Sequence, residues 1–412
     1  GYNNTAIGFD AMLKNSVGTH NTAIGAGSLE QNINGNFKIN VKLFANRIPV
    51  NTSLLTTRNQ IVTGNTKFTF FVENYLKPSE LITFNKYTKK KLFLELNESK
   101  ATGPSLHNIA IIENNKKKTN LLSGNIFLEK DLIIKSETKI LEGTIFTMSE
   151  GASIVFENKV KAVGSNEKPI IFKKHDEAKN WGTIALHGAK TDGSIFKNII
   201  IENASGKSIN GIDYFSSLSV HAAKNIIFDN ILIKNNSNFD DMMHIIYSDN
   251  IQVINSNFLN AYKDSIDVDV SKDILFVNSN VLNSGNDGID FMESTAQLYK
   301  MNISSSADKG VSVGENSRVL INDSIISSNN YGVVSKDLSK TIIKNTLLEN
   351  NKIQLSVYKK NWRYGGSGVI QIKNSEISAV ENYINSDEMG KISISSSNII
   401  GIIKKNQNVK IN

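Results

Sequence analysis

The sequence predicts an all-β chain dominated by a right-handed parallel β-helix. Three observations carry that expectation. From position 217 onward similar short segments return at a step of roughly 20 to roughly 24 residues, the length of one β-helix coil. Their apolar positions are filled largely by Ile and Val, and proline, which interrupts ladders, occurs only 4 times in 412 residues. Helical repeats, which take about 33 residues or more per unit, fit neither the step nor the β-branched composition.

The elements follow in chain order. "NTAIG" stands at 4–8 and again at 21–25, a step of 17. Units this short cannot bury a core alone, so residues 1–36 must stack. Residues 37–118 hold "FKINVKLFA", "KFTFFVENY" and "KKLFLELN", whose alternation predicts half-buried strands in a small β-rich connector. From 119 to 412 the strands are very short, each closed by Gly, Asn, Ser or Glu, and three of them make one coil.

Composition narrows the function. Cysteine is absent, which excludes disulfides, thiol nucleophiles and Cys-ligated zinc. No apolar run reaches the roughly 18 residues of a membrane-spanning helix, so no membrane insertion is expected. The net charge of +7 owes much to lysine clusters such as "KYTKKKLF" and "ENNKKKTN". No nucleic-acid motif accompanies them; they read as solvated loops, and no nucleic-acid partner is expected. P-loop, zinc-motif, nucleophile-elbow and Rossmann patterns are missing too. The chain opens inside a repeat, which predicts that further residues precede Gly1.

The paired "NTAIG" segments resemble the head repeats of trimeric autotransporter adhesins, which also occur in phage tail fibres. That resemblance implies a β-roll shared by three chains, hence a homotrimer. "GTIFTMSEGASIVF", "AVGSNEKPIIF" and "WGTIALHG" resemble the opening coils of pectate-lyase-like β-helix proteins. The block from "NGIDYFSSLSVH" to "VYKKNWRYGGSG" is similar to β-helix segments accompanying CotH-like kinase domains of bacterial surface proteins. These resemblances imply an extracellular, cell-surface or virion protein. They leave activity open, because the superfamily holds lyases, hydrolases, epimerases and inert spikes alike.

Candidate site residues come from the repeat step. "DDMMHIIYS" (240–248), "KDSIDVDVS" (263–271) and "NDGIDFMES" (286–294) follow one another at a constant step. Alternation puts Ile266, Val268, Val270, Ile289 and Phe291 inside and Asp267, Asp269 and Asp290 outside. An outer column His221, His244, Asp267, Asp290, Ser312 is expected, with Asp264, Asp287 and Lys309 parallel to it. Two carboxylates one coil apart (about 4.8 Å) suit acid/base glycoside chemistry, with Asp267, Asp290 and His244 as the catalytic candidates. Asp267, Asp269 and Asp290 alternatively suit calcium; otherwise no cofactor is expected. Trp362, Arg363 and Tyr364, in a loop that interrupts the period, suit stacking on sugars. A second column, Asn255, Asn278, Asn302, Asn322 and Asn345, reads as a buried structural ladder. His187 and His175 show no partner spacing and read as surface residues. Two classes remain: a fibre, adhesin or tailspike-like protein recognising cell-surface glycans, and a polysaccharide hydrolase or lyase.

Overall fold

The computed structural model describes residues 119–175, 179–406 and 408–411 in full and, within 1–118, the strands. The chain divides into two units, residues 1–105 with 208–213, and residues 106–207 with 214–412. In the first, Thr5–Ile7 pairs in parallel with Thr22–Ile24, matching the two "NTAIG" copies residue for residue. Ile48–Pro49, Ile39–Ala45, Glu80–Asn85 and Lys91–Leu94 form a four-stranded antiparallel sheet in that order, and Ser53–Thr56 pairs with Thr69–Phe71.

The second unit is a right-handed parallel β-helix. Its 34 strands form one continuous set, each laid in parallel on the strand one coil away. The first is Ile109–Ile112, which pairs with Asp131–Ile134, so the β-helix takes in strand residues ahead of 119. Strand Ile266–Asp269 lies between Asp241–Ile246 and Ile289–Met292, each one coil away. Alternation then decides the core. Ile266, Val268, Ile289, Phe291, Val311 and Val313 all point inward at 0% exposure. Phenylalanines stack along the axis near the start, with Phe146 and Phe172 at 4.5 Å between centroids.

The corners differ from expectation in two ways. Val270, expected inside, is only half-buried because its backbone turns into the left-handed region at φ 47. The asparagine column is split. Asn278 donates to Asn255 and Asn345 to Asn322, but Asn302 follows Asn280 and Asn257 in another row. Asn255, Asn278 and Asn345 are exposed, not buried, and hold left-handed corners at φ 52, 49 and 47. Asparagine tolerates that conformation better than most residues because its short amide bonds locally.

The buried corner ladders are made of serine instead. The N–H of Ser248 donates to Ser271 Oγ, that of Ser271 to Ser294 Oγ, and that of Ser294 to Ser317 Oγ, at 2.9–3.0 Å. A second ladder runs from Ile231 through Ser256 to Ser279, and a further stretch links Met301, Ser324, Thr346, Ser375 and Ser397. Each hydroxyl satisfies a buried N–H that the turn takes out of the strand ladder.

Candidate functional site

The register places three rows side by side on one outer face, two of them polar and the third contributing Asp269. At the strand starts stand Asp241, Asp264, Asp287 and Lys309. Asp264 accepts the N–H of Asp287 at 2.7 Å, and Asp287 accepts the N–H of Lys309 at 3.0 Å. The middle row is Ser219, His244, Asp267, Asp290 and Ser312. In the third, Ile246, Asp269, Met292 and Gly314 follow one another.

The histidines depart from the expected column. Ser219 aligns with His244, and His221 aligns with Ile246. That coil is longer than those after it, because "NNSNFD" lengthens the preceding turn. His221 therefore stands one row over, in register with His187. His187, read as a lone surface residue, accepts or donates a 3.0 Å bond between Nδ1 and Tyr214 Oη. The Tyr214 ring lies 4.8 Å from His221, whose ring meets His244 edge to face at 5.6 Å. His244 Nε2 lies 3.3 Å from Asp269 Oδ2. His175 stands apart from this row, edge to face with Phe127.

Two lysines neutralise one end. Lys309 Nζ sits 3.1 Å from Asp287 and also reaches Asp308. Lys336, only 2% exposed, approaches Asp290 at 3.9 Å. Gly314 makes that approach possible, since a Cβ there would come within 3.0 Å of the lysine side chain. Lys336 escaped sequence reasoning although it lies one coil beyond Gly314.

Burial and mutual repulsion set the electrostatics. Burial, then Asp287, pushes the Asp264 carboxyl up to about 7. Burial holds Asp267 well above the carboxylate range, helped by Asp269 and Asp241, and Asp241 likewise, helped by Asp264. Asp287 is raised by burial and Asp290 despite Lys309. Burial, with His244 and His187 nearby, pushes His221 down to about 3 and keeps it neutral. Carboxyls that keep a proton near neutrality are suited to donating it.

The expected calcium trio does not assemble as such. The ligand atoms of His244, Asp267 and Asp269 gather within 4.8 Å, while Asp290 groups with Asp264 and Asp287. The loop around Trp362–Tyr364 closes the far end of the face. Asp337 accepts the N–H groups of Lys360 and Asn361, and Tyr364 donates to Glu293, which follows Met292 directly. Trp362 is 76% exposed, with the Arg363 guanidinium 6.0 Å from its ring centroid. Phe215 and Phe239 stack at 5.4 Å, partly exposed, just ahead of the Ser216 and Asp241 strand starts. A shallow groove lined by Asn250, Asp273, Leu275, Gln297 and Tyr299 holds none of these groups.

A family model described as "Right handed beta helix region" matches residues 241–409, the part that carries most of the acidic face. No curated protein matches the sequence. Among solved structures the chain is similar to the A-module of mannuronan C-5 epimerase AlgE4 from Azotobacter vinelandii, at 12% identity over 69% of this chain and 91% of that one, TM-score 0.39. It is also similar to the surface protein and adhesin PfbA of Streptococcus pneumoniae, at 12% identity over 70% and 92%, TM-score 0.40. The Dettilon tailspike protein shares 10% identity over 70% of this chain and 61% of its own, TM-score 0.31.

Proposed function

We propose that this is an extracellular, fibre- or tailspike-like protein that recognises cell-surface glycans on the acidic face of its β-helix. The observation that carries the reading is the collection of half-buried and buried carboxyls on three adjacent rows, walled by Tyr364 and flanked by exposed Trp362. Burying like charges opposes folding, and perturbed carboxyls cluster where chemistry or binding repays the cost. A partly protonated face offers hydrogen bonds to sugar hydroxyls, and aromatic side chains give stacking surface. The test is a glycan array with the intact chain. Trp362→Ala is expected to weaken the glycan signal about 10-fold, the value of one aromatic contact of about 1.4 kcal/mol. Unchanged binding would remove the loop from the site.

A second reading, cleavage of the bound polysaccharide, is favoured by Asp267 and Asp290 standing in register one coil apart. Asp267→Asn or Asp290→Asn is then expected to abolish reducing ends or unsaturated products while glycan binding and melting temperature persist. Product formation by both variants would refute cleavage at this pair.

The parallel pairing of the two "NTAIG" copies supports trimerisation through residues 1–36, because so short a roll lacks chain to cover itself. Removing residues 1–36 is expected to convert a trimer into a monomer in light scattering, with the β-helix still folded. A monomeric intact chain would overturn the trimer.

A further inference from the structure

We infer that the histidine end of the acidic face is a site for one divalent transition-metal ion, held by His221, His244, Asp267 and Asp269. This goes beyond glycan recognition and is tested without any glycan.

The first argument is geometric. At 3.3 Å, the separation of His244 Nε2 and Asp269 Oδ2 exceeds the roughly 2.7–2.9 Å of a charge-assisted hydrogen bond. It matches the edge of a tetrahedron with metal–ligand bonds of about 2.0–2.1 Å, which is roughly 3.3–3.4 Å. The ligand atoms of His244, Asp267 and Asp269 all lie within 4.8 Å of one another, so a small inward adjustment brings Asp267 into the same sphere.

An orphaned nitrogen gives the second argument. His221 Nε2 is shielded from solvent and has no hydrogen-bond partner. Its ring centroid lies 5.6 Å from that of His244. Two imidazoles sharing a tetrahedral ion have centroids roughly 5 Å apart, by the same bond lengths. The ring as a whole is half-buried, but a solvent-shielded ring nitrogen with no partner is unusual, and a metal bond accounts for it.

Charge distribution gives the third. Lys309 and Lys336 compensate Asp287 and Asp290. Among the described residues no lysine or arginine forms an ion pair with Asp267 or Asp269; Asp269 faces His244 instead. Two nitrogens with two carboxylates favour zinc-like ions over calcium, which prefers six to eight oxygens. Tyr214, bonded to His187 and packed on the His221 ring, would orient that ligand from behind.

The test is titration of the tag-free, EDTA-stripped chain with Zn²⁺ against a chromogenic chelator, and with Co²⁺ followed by visible absorption. One Zn²⁺ per chain at submicromolar affinity is expected, with the intense Co²⁺ bands of a tetrahedral site. His221→Phe keeps the ring packing and deletes the nitrogens. It is expected to lower Zn²⁺ affinity by more than the roughly 10- to 100-fold typical of losing an outer partner, with the metal-free melting temperature unchanged. His175→Ala is expected to leave affinity as it was. Absence of stoichiometric Zn²⁺ binding overturns the site. So does a His221→Phe chain that binds like the parent, or Ca²⁺ binding as tight as Zn²⁺.

Discussion

Replacing Ile289 by Asp is expected to destabilise the β-helix by about 3–5 kcal/mol, the cost of stranding an unpaired charge in a packed interior. Ile289 is 0% exposed and lies in register between Ile266 and Val311, themselves fully buried. Both neighbours are aliphatic, so neither offers the carboxylate a hydrogen bond. Thermal melting followed by circular dichroism measures the effect. Ile289→Val, which removes one methylene, is expected to cost only about 0.5–1.5 kcal/mol. A parent-like melting temperature for Ile289→Asp would mean that the strand presents its other face to the core. The same strand carries Asp290, so the face would then have to be redrawn as well.

The second large effect is a loss of stability on the alkaline side. Asp241, Asp264 and Asp267 have carboxyls raised above their unfolded values, so the fold holds protons that the unfolded chain releases. For such groups stability is greatest at low pH and falls as pH rises toward and through the folded pKa. The half-buried histidine of this face acts in the opposite sense. His221 is pushed down to about 3, so its share of stability is lost as pH drops below its unfolded value of 6.5. Well above pH 6.5 His221 is neutral in both states and the raised carboxyls dominate. Each group that stays protonated in the fold from pH 6.5 to 8 costs about 2 kcal/mol over that interval. Melting in EDTA at fixed ionic strength is therefore expected to fall already between pH 5 and 6.5, where three raised carboxyls outweigh one lowered histidine, and to decline by several further degrees by pH 8. Asp267→Asn should flatten that decline. A melting temperature that rises steadily to pH 8 would show these carboxyls ionised in the native state.

How much of this was legible in the sequence follows from where the period is strict. Between Asp241 and Ser312 the step scarcely varies, and there alternation correctly assigned the inward Ile266, Val268, Ile289 and Phe291 and the outward Asp267 and Asp290. Errors arose at turns. The longer turn before Asp241 displaced His221 by one row, and the left-handed corner at Val270 ended an alternation that the pattern extended too far. Asn302 was misassigned because two asparagine rows run close together and a lysine, Lys300, takes the left-handed corner in one of them. The serine ladder was readable, since Ser248, Ser271, Ser294 and Ser317 repeat at a constant step of 23 residues. Serine is common enough in turns that its spacing is easily passed over. Tyr364 reaching back to Glu293 had no sequence signal, because so distant a contact depends on the path of one irregular loop.

The serine ladder also has a direction. Ser248 donates its N–H forward to Ser271, Ser271 to Ser294 and Ser294 to Ser317, so each of these corners borrows its acceptor from the coil that follows. A growing chain leaves its newest corner incomplete until the next whole coil has been laid down. Excising one whole period between matched serines would rejoin a donor to an equivalent hydroxyl, whereas excising half a period would leave a buried N–H facing an apolar side chain. Length along the axis is thus quantised in complete turns, and variants that shorten or extend this rod should survive only as integers.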